Sequence, residues 1–164
     1  MRAPGLPPEP ANRRPVILLW LAAIVVFVLD RVSKAYILSH ASSCGQREIV
    51  PHVLRCTYVQ NTHGAFGMFG NSPQLLIVLA LLVLGIFAYA FRDAVRRSGV
   101  VRLAFGMIVG GAIGNIIDRF QHQWVVDFID FYSIWPNVFN VADAAITVGV
   151  ALLILASLRR EART

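Results

Sequence analysis

Charge is scarce in this chain: charged residues make up 15% of its 164 positions, against 57% hydrophobic ones. A soluble domain of this size carries about a quarter charged residues, so a globule bathed in water is excluded. Cysteine is nearly absent. Cys44 and Cys56 have no companions at zinc-ligand spacing and no other ligand set is visible, so no metal and no cofactor is expected. For the two thiols themselves, a disulfide and a free pair both stay open. No paired inverted repeat can be found, which weighs against a coupled transporter. A cleavable leader is not expected either, because the apolar run from Val16 is too long for one and no clear cleavage site follows it.

The formal net charge of +6 would suit nucleic acid if it formed a patch. It does not. The basic residues sit in short clusters between four long apolar runs, at about Val16–Leu38, Pro73–Phe91, Val101–Arg119 and Val138–Leu158. Each is close to the roughly 20 apolar residues that cross a bilayer as a helix, and Ser72 followed by Pro73 reads as an N-cap and first helical position. The stretches 39–72 and 120–137 then share one side of the membrane, and the 92–100 loop and both ends share the other. Arg2, Arg13, Arg14, Arg92, Arg96, Arg97, Arg102, Arg159, Arg160 and Arg163 fall on the second side, ten of the fifteen basic residues. The positive-inside rule therefore makes both termini cytoplasmic.

The fold class that follows is all-α membrane, a four-transmembrane-helix bundle. Residues 16–158 form its one domain, between a Pro-rich disordered cytoplasmic tail at 1–15 and a cytoplasmic tail at 159–164. An extracytoplasmic β-rich segment at about 41–70 is expected to contribute to a small sheet, with Ile49–Gln60 and Val125–Tyr132 as its strands. Gly64–Gly70 reads as a short apolar element in the interface. Gly106, Gly110 and Gly114, with Gly111 beside them, make a stripe that lets another backbone come close in lipid. Asp118 continues it.

Nine residues are acidic, and five of them, Asp30, Asp118, Asp127, Asp130 and Asp143, lie in or beside the outer ends of spans. An ionised carboxylate near hydrocarbon is costly and needs a partner or a task. Asp30 has Lys34 one turn on, and a structural ion pair is favoured there over direct chemistry. Asn115, Asp118 and Arg119 share one helix side as a polar brace, with Arg119 suited to a forked contact to a carboxylate or carbonyl. Asn140 and Asp143 resemble a capping box. Asp127 lies in apolar Val125-Val126-Asp127-Phe128, which disfavours its charge. Yet Asp127 and Asp143 must emerge at one depth and on one side. Two such carboxylates share a proton, so one can activate water while the other protonates a carbonyl.

These residues stand in strings that resemble a known family. Leu29-Asp30-Arg31-Val32-Ser33-Lys34, Asn61-Thr62-His63-Gly64-Ala65-Phe66-Gly67, Gly110 to Arg119, Val125-Val126-Asp127-Phe128 and Phe139-Asn140-Val141-Ala142-Asp143 are similar, in order, to the signature blocks of bacterial lipoprotein signal peptidases (signal peptidase II). The resemblance implies a multi-pass aspartic endopeptidase of the cytoplasmic (inner) membrane, with its active site at the outer face. It implies removal of signal peptides from diacylglyceryl-modified prolipoproteins, on the amino side of the lipidated cysteine, and inhibition by globomycin. It further implies that Asp127 and Asp143 are the catalytic pair. Asn61, Asn115, Arg119 and Asn140 match positions lining or supporting the site, and Asp30 and Lys34 match a structural pair. His63 and Gly64 depart from the family's usual Asn-Thr-Gly-Ala-Ala-Phe, which bears on that loop's backbone and its lipid or inhibitor contacts. Asp130 reads as a surface acid.

Prolipoprotein substrates and membrane lipid are thus the expected partners, with no nucleic acid, and a monomer is expected because one chain can assemble the site. A proton relay would spread its acids through the bilayer rather than cluster them at one face. A scaffold built on the glycine stripe gives no reason for Asp127 and Asp143 to meet. The Gly-Xaa-Gly-Asp block of presenilin-like proteases is missing.

Overall fold

The computed structural model describes residues 14–64 and 72–161. Among these residues four helices are long and apolar enough to cross a membrane: α1 (Arg14–Ser39), α2 (Pro73–Arg97), α3 (Gly99–His122) and α4 (Val141–Glu161). Residues 1–13 and 162–164, with most of the two expected tails, lie outside the described residues, as do residues 65–70 of the expected interfacial element. Pro15 does not delay α1, since a first-turn proline has no intrahelical N–H to lose.

The expected loop at 92–100 does not exist. α2 runs on through Arg97, and Ser98 alone joins it to α3. Ser98 closes one helix by donating its N–H to Ala94 O at 2.9 Å and opens the next by accepting from Val101 N at its Oγ. The Arg102 guanidinium donates back to the carbonyls of Val95 and Arg96. Polarity suggested a loop here, but Arg and Ala are good helix formers and the caps satisfy both ends.

α3 is the hub. Its glycines receive α1 on one side and α4 on the other. A methyl group on Gly106 or Gly110 would strike the carbonyl oxygens of Leu19 or Ala23 in α1, and one on Gly111 would lie 2.6 Å from the Ala142 oxygen in α4. Gly114 leaves room for a side chain rather than a backbone, namely the Asp30 carboxylate. Val101, Ala104, Ile108 and Leu153 form the buried apolar core at the other end of the bundle.

Three strands, β1 (Gly45–Val50), β2 (Leu54–Asn61) and β3 (Val125–Asp130), make an antiparallel sheet in the order β1-β2-β3. The register sets Val59 opposite Asp127 and Asn61 opposite Val125. Cys44 and Cys56 are joined in a disulfide. The second pairing also corrects the reading of Asp130. It is buried, not superficial: opposite Arg55 in the sheet, it accepts from Arg55 Nε at 2.6 Å and Thr57 Oγ1 at 2.7 Å.

Candidate active site

The site begins with the end of β2. Asn61 turns its amide so that Oδ1 accepts from the N–H groups of His63 and Gly64, at 3.1 and 3.0 Å. Its Nδ2 is thereby left to donate, and it does so to Asp127 Oδ2 at 2.8 Å. Gly64 has φ +72, and a Cβ there would strike Leu76, so the glycine of this departing loop fits a turn few other residues adopt.

Asn140 supplies the opposite wall. As the cap of α4, its Oδ1 accepts from Asp143 N at 2.9 Å, and Asp143 Oδ2 accepts from Asn140 N at 3.4 Å. The capping box expected from sequence is present. Its spare Nδ2 donates to Asp127 Oδ1 at 2.7 Å. One asparagine therefore contacts both carboxylates, and capping and site-building are the same arrangement.

Asn115 completes the set. Its Nδ2 donates to Asp143 Oδ1 at 2.7 Å, while its Oδ1 accepts from Lys34 Nζ at 2.9 Å and Asn140 Nδ2 at 3.2 Å. Asp127 is 1% exposed. Burial, and next the charge of Asp143, lift its pKa from 3.8 to about 7 against the opposing pull of the Asn61 and Asn140 amides and of Lys34. Among the described residues neither Asp127 nor Asp143 forms an ion pair.

The acids beneath them are paired. Lys34, 1% exposed, places its ammonium 2.8 Å from Asp30 Oδ2 and 2.9 Å from Asp118 Oδ2. With Asn115 that makes three acceptors for three N–H donors. Arg31, which the sequence reading left unused, pairs with the other oxygen of Asp118. Its signal was its place directly after Asp30. Asp30 Oδ1 accepts from Ala142 N at 3.0 Å, tying α1 to the first turn of α4, and Asp118 Oδ2 accepts from Val126 N at 3.3 Å, holding β3. The expected Asp30–Lys34 pair is thus present, within a larger cluster. Of the forked contact to a carboxylate or carbonyl suited to Arg119, only a single bond to a carbonyl is present among the described residues: its Nη1 donates to Asn115 O of its own helix at 3.2 Å, and its Nε is without a partner. A helix carbonyl one turn back was simply nearer.

This geometry can be set beside known proteins. A family model described as signal peptidase (SPase) II matches residues 22–159. The chain belongs to the signal peptidase II family. A lipoprotein signal peptidase of Halothermothrix orenii is 38% identical over 138 residues, covering 84% of this chain and 93% of its own. That of Syntrophomonas wolfei is 41% identical over 148 residues, covering 88% and 97%. A bacterial membrane enzyme solved by the in meso method aligns with TM-score 0.79 and 30% identity over 91% of this chain and 92% of its own. The family is one of membrane proteases that cleave signal peptides from lipoprotein precursors, and prolipoproteins are its substrates.

Proposed function

We propose that the chain carries out this cleavage as an aspartic endopeptidase, with Asp127 and Asp143 as its catalytic pair. The supporting observation is Asn140: this one buried residue reaches both carboxylates, Asp127 through its side-chain amide and Asp143 through its backbone N–H, and among the described residues the pair is hydrogen-bonded to neutral amides alone. Two acids held so, without a matching cation, hold one proton between them at neutral pH. The ionised partner draws a proton from a water placed between them, and the oxygen of that water attacks the scissile carbonyl. The protonated partner donates to the carbonyl oxygen, and the tetrahedral intermediate collapses as the amine leaves with a proton. Asn61, Asn115 and Asn140 hold the carboxylates in place throughout. Asp30, Lys34 and Asp118, with Arg119 at the rim, support the helix ends that carry them. No metal or cofactor enters this scheme.

The substrate in this reading is a diacylglyceryl-modified prolipoprotein, cut on the amino side of the lipidated cysteine. The acyl chains lie in the bilayer and bring the bond to the headgroup level, where the helix ends and the sheet meet. Both termini are cytoplasmic and the site faces outward, as the distribution of Arg supports, in the cytoplasmic membrane and as a monomer.

Asp127→Asn and Asp143→Asn test it. Each variant in detergent should keep its helical circular dichroism and lose turnover of a diacylated prolipoprotein by about four orders of magnitude. Near-normal cleavage by either one removes the pair from the chemistry.

A further inference from the structure

The disulfide has no part in that chemistry, yet it lies in the packing that supports the strand bearing Asp127. Cys44, in the turn after α1, bonds to Cys56 in β2, with Cα atoms 5.1 Å apart. Cys44 forms one buried cluster with Ile37 and Val126, and Cys56, Tyr58, Trp124 and Phe128 pack against it. Val126 precedes Asp127 and pairs with Gln60, the neighbour of Asn61. The bridge therefore links the outer end of α1 to both strands on which the Asn61–Asp127 hydrogen bond depends.

It is also approachable. A groove of about 530 Å³ runs between the outer end of α1 and the β1–β2 hairpin, lined by Tyr36, His40, Arg47, Leu54 and Phe128 as well as by both half-cystines. Cys44 is buried and Cys56 half-buried, so the Cys56 sulfur is the one open to attack. The groove wall carries Arg47, Glu48 and Arg55; Arg55 is paired with Asp130, and Arg47 offsets Glu48 on the path of an incoming thiolate.

We infer that the Cys44–Cys56 bridge is a thiol-exchange site, reached through this groove, whose oxidised form holds Asn61 on Asp127 and whose reduction slows cleavage. The inference rests on the proposed Asp127–Asp143 pair. The reductant is a small dithiol. Its thiolate attacks Cys56 Sγ, the S–S bond breaks, and the electron pair leaves on Cys44, which takes up a proton. The second thiol of the reductant then attacks the mixed disulfide, freeing Cys56 as a thiol. Two cysteines are reduced and one dithiol is oxidised. Once the bridge is open, β2 is less firmly held beside β3 and Asn61 is displaced from its carboxylate. Displacements of this kind cost up to a hundredfold in rate.

The test uses the full chain in detergent with a diacylated prolipoprotein, comparing the oxidised protein, the same protein after dithiothreitol, and a Cys44→Ser/Cys56→Ser double variant. Thiols are counted by alkylation and mass. Reduction should lower kcat by about tenfold with KM little changed, and reoxidation should restore it. The double variant should hold the low rate and ignore dithiothreitol. The alkaline limb of kcat should move to higher pH in the reduced form, because the Asn61 amide lowers the pKa of Asp127. The other groups that act on Asp127, namely Asp143 of α4, Asn140 at the N-cap of α4, Lys34 of α1 and Arg119 of α3, lie on elements that the bridge does not join to β2 and should act alike in both forms. A bridge that is only structural would lower the melting temperature and leave kcat and its pH limb unchanged, which overturns the inference, as does a bridge that resists dithiothreitol until the protein unfolds. Asp127→Asn is run alongside: full activity there sinks the catalytic pair itself, whatever the redox result.

Discussion

Two layers of acid lie at this end of the bundle, Asp30, Asp118 and Asp127 buried and Asp143 half-buried, and they are treated in opposite ways. In the lower layer Asp30 and Asp118 meet Lys34 and Arg31, charge against charge. In the upper layer Asp127 and Asp143 meet asparagine amides. Compensated carboxylates hold helices together, because their ionised form is already satisfied. Carboxylates given donors but, among the described residues, no cation in contact keep an unsettled proton, and it is there that acid–base chemistry belongs.

The comparison can be broken at either layer. After the loss of turnover expected of the Asp127 and Asp143 variants, the largest effect should come from Lys34→Met. It strips three acceptors of their cation and should cost about 3–5 kcal/mol of stability, read as a lower melting temperature in detergent. A variant that melts like the unaltered chain would mean that the lower layer is not held by charge.

Asn61→Ala sharpens the contrast within the upper layer. Removing one donor should lower kcat roughly tenfold to a hundredfold and shift the alkaline limb above the value near 7 set by Asp127. The direction follows from the sign: the amide favours the charged carboxylate, so its loss raises the pKa. The same group shapes stability. Because folding lifts Asp127 from 3.8 to about 7, the folded state is relatively favoured at low pH and loses that advantage as pH rises through about 7. Asp127→Asn should flatten this slope in a series of melting curves.

The smallest effect belongs to Asp130→Asn, away from both layers. Weakening its contacts to Arg55 and Thr57 should cost about 1–2 kcal/mol and leave turnover close to that of the unaltered chain. A large loss of turnover would draw the sheet interior into the site.

Much of this was legible in one dimension. Apolar runs set the four spans, and the glycines at 106, 110 and 114 announced close packing, although not that Gly114 would make room for Asp30 rather than for backbone. Asn140 and Asp143 were readable as a cap because a capping box is local. What escaped was either long-range or degenerate. Asp130 finds Arg55 across 75 positions of sequence, and nothing near it in the chain signals that pairing. Lys34 declared its partner one turn back but not Asp118 or Asn115. Cys44 and Cys56 allowed two redox states that only their separation in space could divide. The 92–100 segment was misread because polarity was taken for irregularity, when Arg-rich sequence continues a helix as well as it breaks a hydrophobic run.

The single residue between α2 and α3 constrains how the two spans can sit in a bilayer. α2 has Leu76 as its buried residue and shows most of its surface to lipid; it is held by one row of side chains, Leu84, Phe87, Phe91, Ala94 and Val95, packed on the core, and by its leash at Ser98. With no slack at that point the two spans in place form one closed hairpin, and neither can slide along the membrane normal without drawing the other with it.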